Sequence, residues 1–170
     1  MDITNRTTIG DAAPFITEEH LKTLIDSDKI KAIDLEKPII KMTVGEFLEA
    51  LDPAYAIEKF FSDPDELLVN AVGRIKTFKK EIEDISNVLK VNEISLSVEE
   101  KAAQRGVVFP SYEESVLCEC VEWFHLHSLD DAEKVPLSNY IVMHRKHSAE
   151  ALFDRNLNKI YNEKAKKRTK

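Results

Sequence analysis

Cys118, Cys120, His125, His127, His144 and His147 bring six thiol and imidazole groups within 30 residues, and these are the donor types that hold zinc and other borderline metals. Their spacing argues against a shared ion. On a helix, side chains that grip one ion lie three or four residues apart, whereas Cys118 and Cys120, like His125 and His127, are two apart and diverge by about 200°. His144 and His147 do share a face, and a site there would need Cys120 or His127 as a further ligand. The competing reading makes Cys120 a small apolar residue and the histidines surface or interface groups.

Glu122-Trp123-Phe124-His125 has the Glu-x-x-His form of carboxylate-bridged di-iron bundles, but such a site needs a second copy of the motif and two further glutamates. The second motif is absent from the sequence. As a nucleophile pair, Cys118 and His125 fall on one helical face but stand about 10 Å apart along the axis, too far for direct proton transfer. The chain also lacks the phosphate-binding, dinucleotide-binding, nucleophile-elbow and His-Glu-x-x-His patterns. The sequence therefore assigns no catalytic, cofactor-binding or metal-binding residue, and the expectation is a protein that is not an enzyme.

The elements that carry these residues read as helices. Leu68, Ala71, Ile75, Phe78, Ile82, Ile85 and Leu89 alternate spacings of three and four, an apolar seam sustained over about three heptads. The pattern predicts one long helix over about 64–90, near 40 Å in length at about 1.5 Å per residue. Val72 and Val88 widen the seam, which suits a helix with two neighbours in a bundle. Gly73 lies opposite the seam, at a cost of about 1 kcal/mol relative to alanine.

Start signals recur on either side. Thr17 precedes Glu18 and Glu19 as an N-cap for a short helix ending near Asp28, and Thr43/Glu46, Ser97/Glu100 and Ser111/Glu114 form capping boxes. Pro53 and Pro64 follow aspartates as first helical residues, and Gly106 suits the left-handed residue after a short helix. The helix opened by Ser111 should run to about Ser128 with a stripe of Leu117, Cys120, Val121, Phe124 and His127, Trp123 lying at its flank. Beyond Pro136, Ser138 should cap a last long helix through Ile141, Ala149, Leu152, Phe153, Leu157 and Ile160. Residues 30–41 read equally as a strand-like connection or a second arm. Residues 1–16, polar and interrupted by Gly10 and Pro14, read as an extended arm.

Bulk composition agrees with this pattern. The 170 residues are 43% hydrophobic and 32% charged with only 4 glycines, which favours helices over a nucleotide-binding α/β sheet and allows one domain with extensions. Residues 155–170 carry seven basic side chains against Glu163, a charge of +6 that, with −7 for the whole chain, leaves −13 on residues 1–154. Lys164, Lys166, Lys167, Arg168 and Lys170 are accordingly candidates for binding an acidic protein surface or nucleic acid. Cations at a helix end are equally what the helix dipole favours. Glu113, Glu114, Glu119 and Glu122 give the preceding helix the wrong sign for a DNA groove. With no long apolar run and no secretory order at Met1-Asp2-Ile3-Thr4-Asn5, no membrane association is expected and synthesis should be cytoplasmic.

The expectation is an all-α helical bundle with one long heptad-patterned helix: an arm with a short helix over 1–42, a helical body over 43–162 and a basic tail over 163–170. Its function reads as that of a non-enzymatic structural or assembly subunit of a large complex, a homo-oligomer or part of a bacteriophage virion, with residues 1–16 and 163–170 lying against other chains. The alternative is a soluble adaptor or regulatory helical domain with a nucleic-acid-associated tail.

Overall fold

The computed structural model describes residues 6–92 and 96–168. Helices form the regular structure of these residues, accompanied only by an isolated antiparallel bridge between Thr8 and Leu67. The chain divides into two compact units, Met1–Ile85 and Ser86–Lys170. Residues 6–42 belong to the first of these units.

The first unit contains α1 (Ile9–Ala12), α2 (Glu18–Asp26), a 3-10 turn (Ile39–Lys41), α3 (Val44–Ala50), α4 (Pro53–Phe60) and most of α5 (Leu68–Leu89). The capping signals act as their chemistry requires. Thr17 accepts from the His20 amide, Thr43 and Glu46 close a reciprocal capping box, and Asp52 caps α4 with Pro53 at its start. Pro64, in contrast, does not open α5. Asp63 Oδ1 accepts from the Asp65 amide at 3.0 Å, holding a turn, and the helix begins at Leu68.

Residues 6–16 correct the expectation of an extended arm. Thr8 and Asp11 form a capping box around one turn of helix, and Ile9 and Ala12 are buried. The amides of Ile9 and Gly10 donate to Glu66 O and Pro64 O, both at 2.8 Å, and the Leu68 amide donates to Thr7 O at 2.9 Å. The segment thus satisfies the free backbone groups that a helix start leaves behind. Ala12, Leu21, Leu68 and Val72 form a buried cluster, with Ile16, Leu24, Ile25, Ile30 and Phe61 packed around it. Residues 1–5 lie outside the described residues.

Along α5, Leu68, Ala71, Val72, Ile75, Phe78 and Ile85 are buried, while Ile82 and Leu89 are half-buried. The side opposite the seam, where Gly73 lies, is also occupied. Residues 27–39 lie along it as a strap: the Ile33 amide donates to Gly73 O at 3.1 Å, Thr77 Oγ1 to Ile33 O at 2.7 Å, and Lys76 Nζ to Ile30 O at 2.8 Å and to Ser27 O. Glu81 Oε2 accepts from the Ile39 amide at 2.7 Å. Gly73 is buried beneath the strap, which explains a residue otherwise unfavourable within a helix.

The second unit contains α6 (Val98–Ala103), α7 (Tyr112–Phe124), α8 (Leu129–Glu133) and α9 (Leu137–Arg168). Both Ser97/Glu100 and Ser111/Glu114 form capping boxes, and Gly106 has a φ of 78°. The helix α7 stops four residues before its expected end, because His125 turns left-handed (φ 52°) and lets the Leu126 amide reach Val121 O at 3.0 Å. Its buried residues are Val116 and Cys120; of the rest of the expected stripe, Leu117, Val121 and Phe124 are half-buried and His127 is exposed. Ser128 caps α8, and α9 begins at Leu137, one residue before the expected cap Ser138.

Candidate functional site

Two features of the second unit are positioned by α7 and α9, and the first gathers two of the imidazoles, His144 and His147. Tyr140, His144 and His147 occupy successive turns of one α9 face and meet Trp123 of α7. The indole stacks on Tyr140 at a centroid distance of 5.8 Å and on His147 at 4.6 Å, with His144 edge-on at 6.2 Å. Tyr140 Oη donates to Glu119 Oε2 at 2.8 Å. Burial, then the adjacent Glu119 carboxylate, pushes the Tyr140 hydroxyl well above its ordinary range and keeps it a donor.

The thiols part company. Cys118 is exposed and Cys120 is buried, and burial, reinforced by Glu119, pushes the Cys120 thiol up to about 12. A thiol held protonated is a poor nucleophile and a poor metal ligand. His125 serves as the left-handed C-cap of α7, so Glu122 and His125 do not form a helical pair, and His127 is exposed beyond it. Among the described residues, no three His, Cys, Asp or Glu side chains come together to hold a metal ion. His144 and His147 turn to the aromatic cluster, where stacking positions their rings. The sequence placed Trp123 at the flank; the spacing of Tyr140, His144 and His147 puts them on one helical face, but nothing local in the sequence names Trp123 as their partner.

The second feature is the outer face of α9. Its first turns bury Leu137, Tyr140 and Ile141, after which Val142, Ala149, Phe153 and Ile160 remain exposed, Val142 and Phe153 at 66% and 65%. At about 100° per residue these four fall in a band about 40° wide. Arg155 lies on the other side of the helix and donates to Glu100 Oε2 of α6 at 3.1 Å. The expected packing stripe is therefore split: Leu152 and Leu157 are half-buried, while Ala149, Phe153 and Ile160 face away from the unit. Lys164 is exposed on the same helix, whose backbone continues through Lys166, Lys167 and Arg168. Lys170 lies outside the described residues.

These elements define an all-α protein, and no helix among the described residues is long and apolar enough to cross a membrane. Compared with known proteins, the chain matches no family model, no curated protein and no solved structure.

Proposed function

We propose that this chain is a non-enzymatic structural or assembly subunit of a larger protein complex, and that the outer face of α9 docks on another copy of the chain. The bacteriophage particle suggested by composition is the specific assembly in this reading. The observation that carries it is the exposed band of Val142, Ala149, Phe153 and Ile160 on a helix that outruns its own packing. Helices of this length draw most of their stability from a buried face, and contiguous exposed apolar surface marks interaction sites. Charge favours a second copy as the occupant: the +6 of residues 155–170 complements the −13 of residues 1–154. In the same reading, the α5 seam packs helices into a bundle.

Light scattering on the full chain at low and high salt tests this. The expected result is a defined oligomer whose mass falls at high salt and falls further in Phe153→Ser/Ile160→Ser, with helicity retained by circular dichroism. A single-chain mass for the unaltered protein at both salt concentrations overturns self-docking. The basic charge of α9 favours a second reading, an adaptor that holds nucleic acid. That reading predicts a monomer or dimer whose affinity for nucleic acid falls steeply with salt.

A further inference from the structure

The first unit holds a cavity of about 310 Å³ that opens to solvent, at the lower end of the size range of small-molecule sites. Its floor is apolar, formed by Met42 from the end of the 3-10 turn, Phe60 from α4 and Phe78 from α5, side chains that are otherwise buried. Its rim carries three cations, Lys37, Lys59 and Arg74. Elements distant in sequence thus converge to set charge above an aromatic base.

The state of each cation decides what the rim can take. Lys37 is matched by Glu46, whose two carboxylate oxygens lie 2.7 and 2.6 Å from Nζ. Arg74 pairs with Glu66 through a single nitrogen and lies over the Phe60 ring, leaving further N–H groups of a partly buried guanidinium without an acceptor among the described residues. Lys59 forms no close ion pair among the described residues, although its charge is felt by Glu46; its Nζ donates to Tyr55 Oη at 3.1 Å and lies 5.2 Å from the centre of that ring. The rim therefore offers one ammonium outside any close ion pair and the spare donors of a guanidinium. Glu36 in the lining, together with Glu46 and Glu66 already paired to Lys37 and Arg74, opposes a polyanion.

We propose that this cavity binds a small monocarboxylate with an apolar body, the carboxylate taken by Lys59 and Arg74 and the body laid on Met42, Phe60 and Phe78. A guanidinium fork and an ammonium match one carboxylate, and the aromatic floor contributes by burying apolar surface. The same geometry disfavours nucleotides and sugar phosphates, whose multiple charges meet Glu36 and whose polar bodies gain little from the floor. This site is independent of docking through α9, so either reading can fail alone.

Octanoate and 1-octanol, titrated into the full chain and followed by amide chemical shifts, provide the test. Octanoate should bind at least tenfold more tightly than octanol, with shifts centred on residues 35–42, 59–60 and 74–78. Lys59→Gln, at an exposed position, should weaken octanoate about tenfold and leave octanol unchanged. Arg74→Lys, which keeps the charge and loses the fork, should weaken octanoate as well. The proposal is overturned by absent octanoate binding, by equal affinity for the two probes, by shifts centred elsewhere, or by unchanged octanoate affinity in folded Lys59→Gln.

Discussion

The imidazole of His147 lies nearly parallel to the indole of Trp123, with ring centroids 4.6 Å apart and planes inclined by 20°. The contact joins α9 to α7 within the second unit. Nδ1 of His147 approaches Glu150 Oε2 at 3.4 Å, while Nε2 is buried without a hydrogen-bond partner. Stacking therefore holds this ring more than polar contact does.

Replacing His147 separates the two contributions. His147→Ala should cost about 0.5–1.5 kcal/mol through loss of the ring pair, whereas His147→Phe keeps the stack, removes the unpartnered nitrogen and should be at least as stable as the natural protein. Trp123 is the only tryptophan in the chain. Urea unfolding followed by its fluorescence reports this contact directly, and His147→Ala should also shift the folded-state emission to the red.

The two cysteines should differ sharply in reactivity. Cys118 is exposed, whereas Cys120 is fully buried with its thiol pushed up to about 12 by burial and then by Glu119. In the folded protein at mildly alkaline pH, a thiol reagent such as dithionitrobenzoate should modify one cysteine per chain. The second should react only at the rate of unfolding, and Cys118→Ser should abolish the fast phase.

Gly73→Ala should destabilise the protein although alanine is the better helix former. A Cβ there would stand 2.7 Å from Lys31 O and 2.8 Å from Ile33 Cγ1. Displacing the strap costs about 1–3 kcal/mol for overpacking, against about 1 kcal/mol gained in helix propensity. Chemical denaturation should show a lower midpoint, with amide shifts spreading over residues 27–39.

The Lys37–Glu46 pair sets an acid limb in the stability profile. Hydrogen bonds from Lys37 Nζ, then from the Thr43 amide, hold the Glu46 carboxyl below its ordinary value of 4.5. Because the folded-state value is depressed, the stabilisation is complete above the unfolded value and is lost as pH falls through the folded one. Both side chains are nearly half exposed, so solvent screening limits the pair to about 0.2–1 kcal/mol. Lys37→Met should lower stability by that amount at neutral pH and by progressively less in acid, measured by urea unfolding across the range.

Local chemistry in the sequence determined the helical class and most helix starts. Capping at Thr17, Thr43, Asp52, Ser97 and Ser111 involves groups within three residues of one another, so neighbouring side chains alone suffice. The Leu68–Leu89 repeat likewise read as one helix because its period is a property of the chain. What the sequence left open depended on partners distant along it. Whether residues 6–16 and 27–39 stay extended or pack depends on backbone groups at 63–68 and on Gly73, Lys76, Thr77 and Glu81, which no short-range pattern announces. The end of α7 turned on His125 accepting a left-handed conformation that sequence preference assigns to glycine. The aromatic cluster and the cavity, finally, exist only where separate helices converge. Side-chain type was legible residue by residue, but proximity between Trp123 and His147, or among Lys59, Arg74 and Phe78, is created by tertiary packing alone.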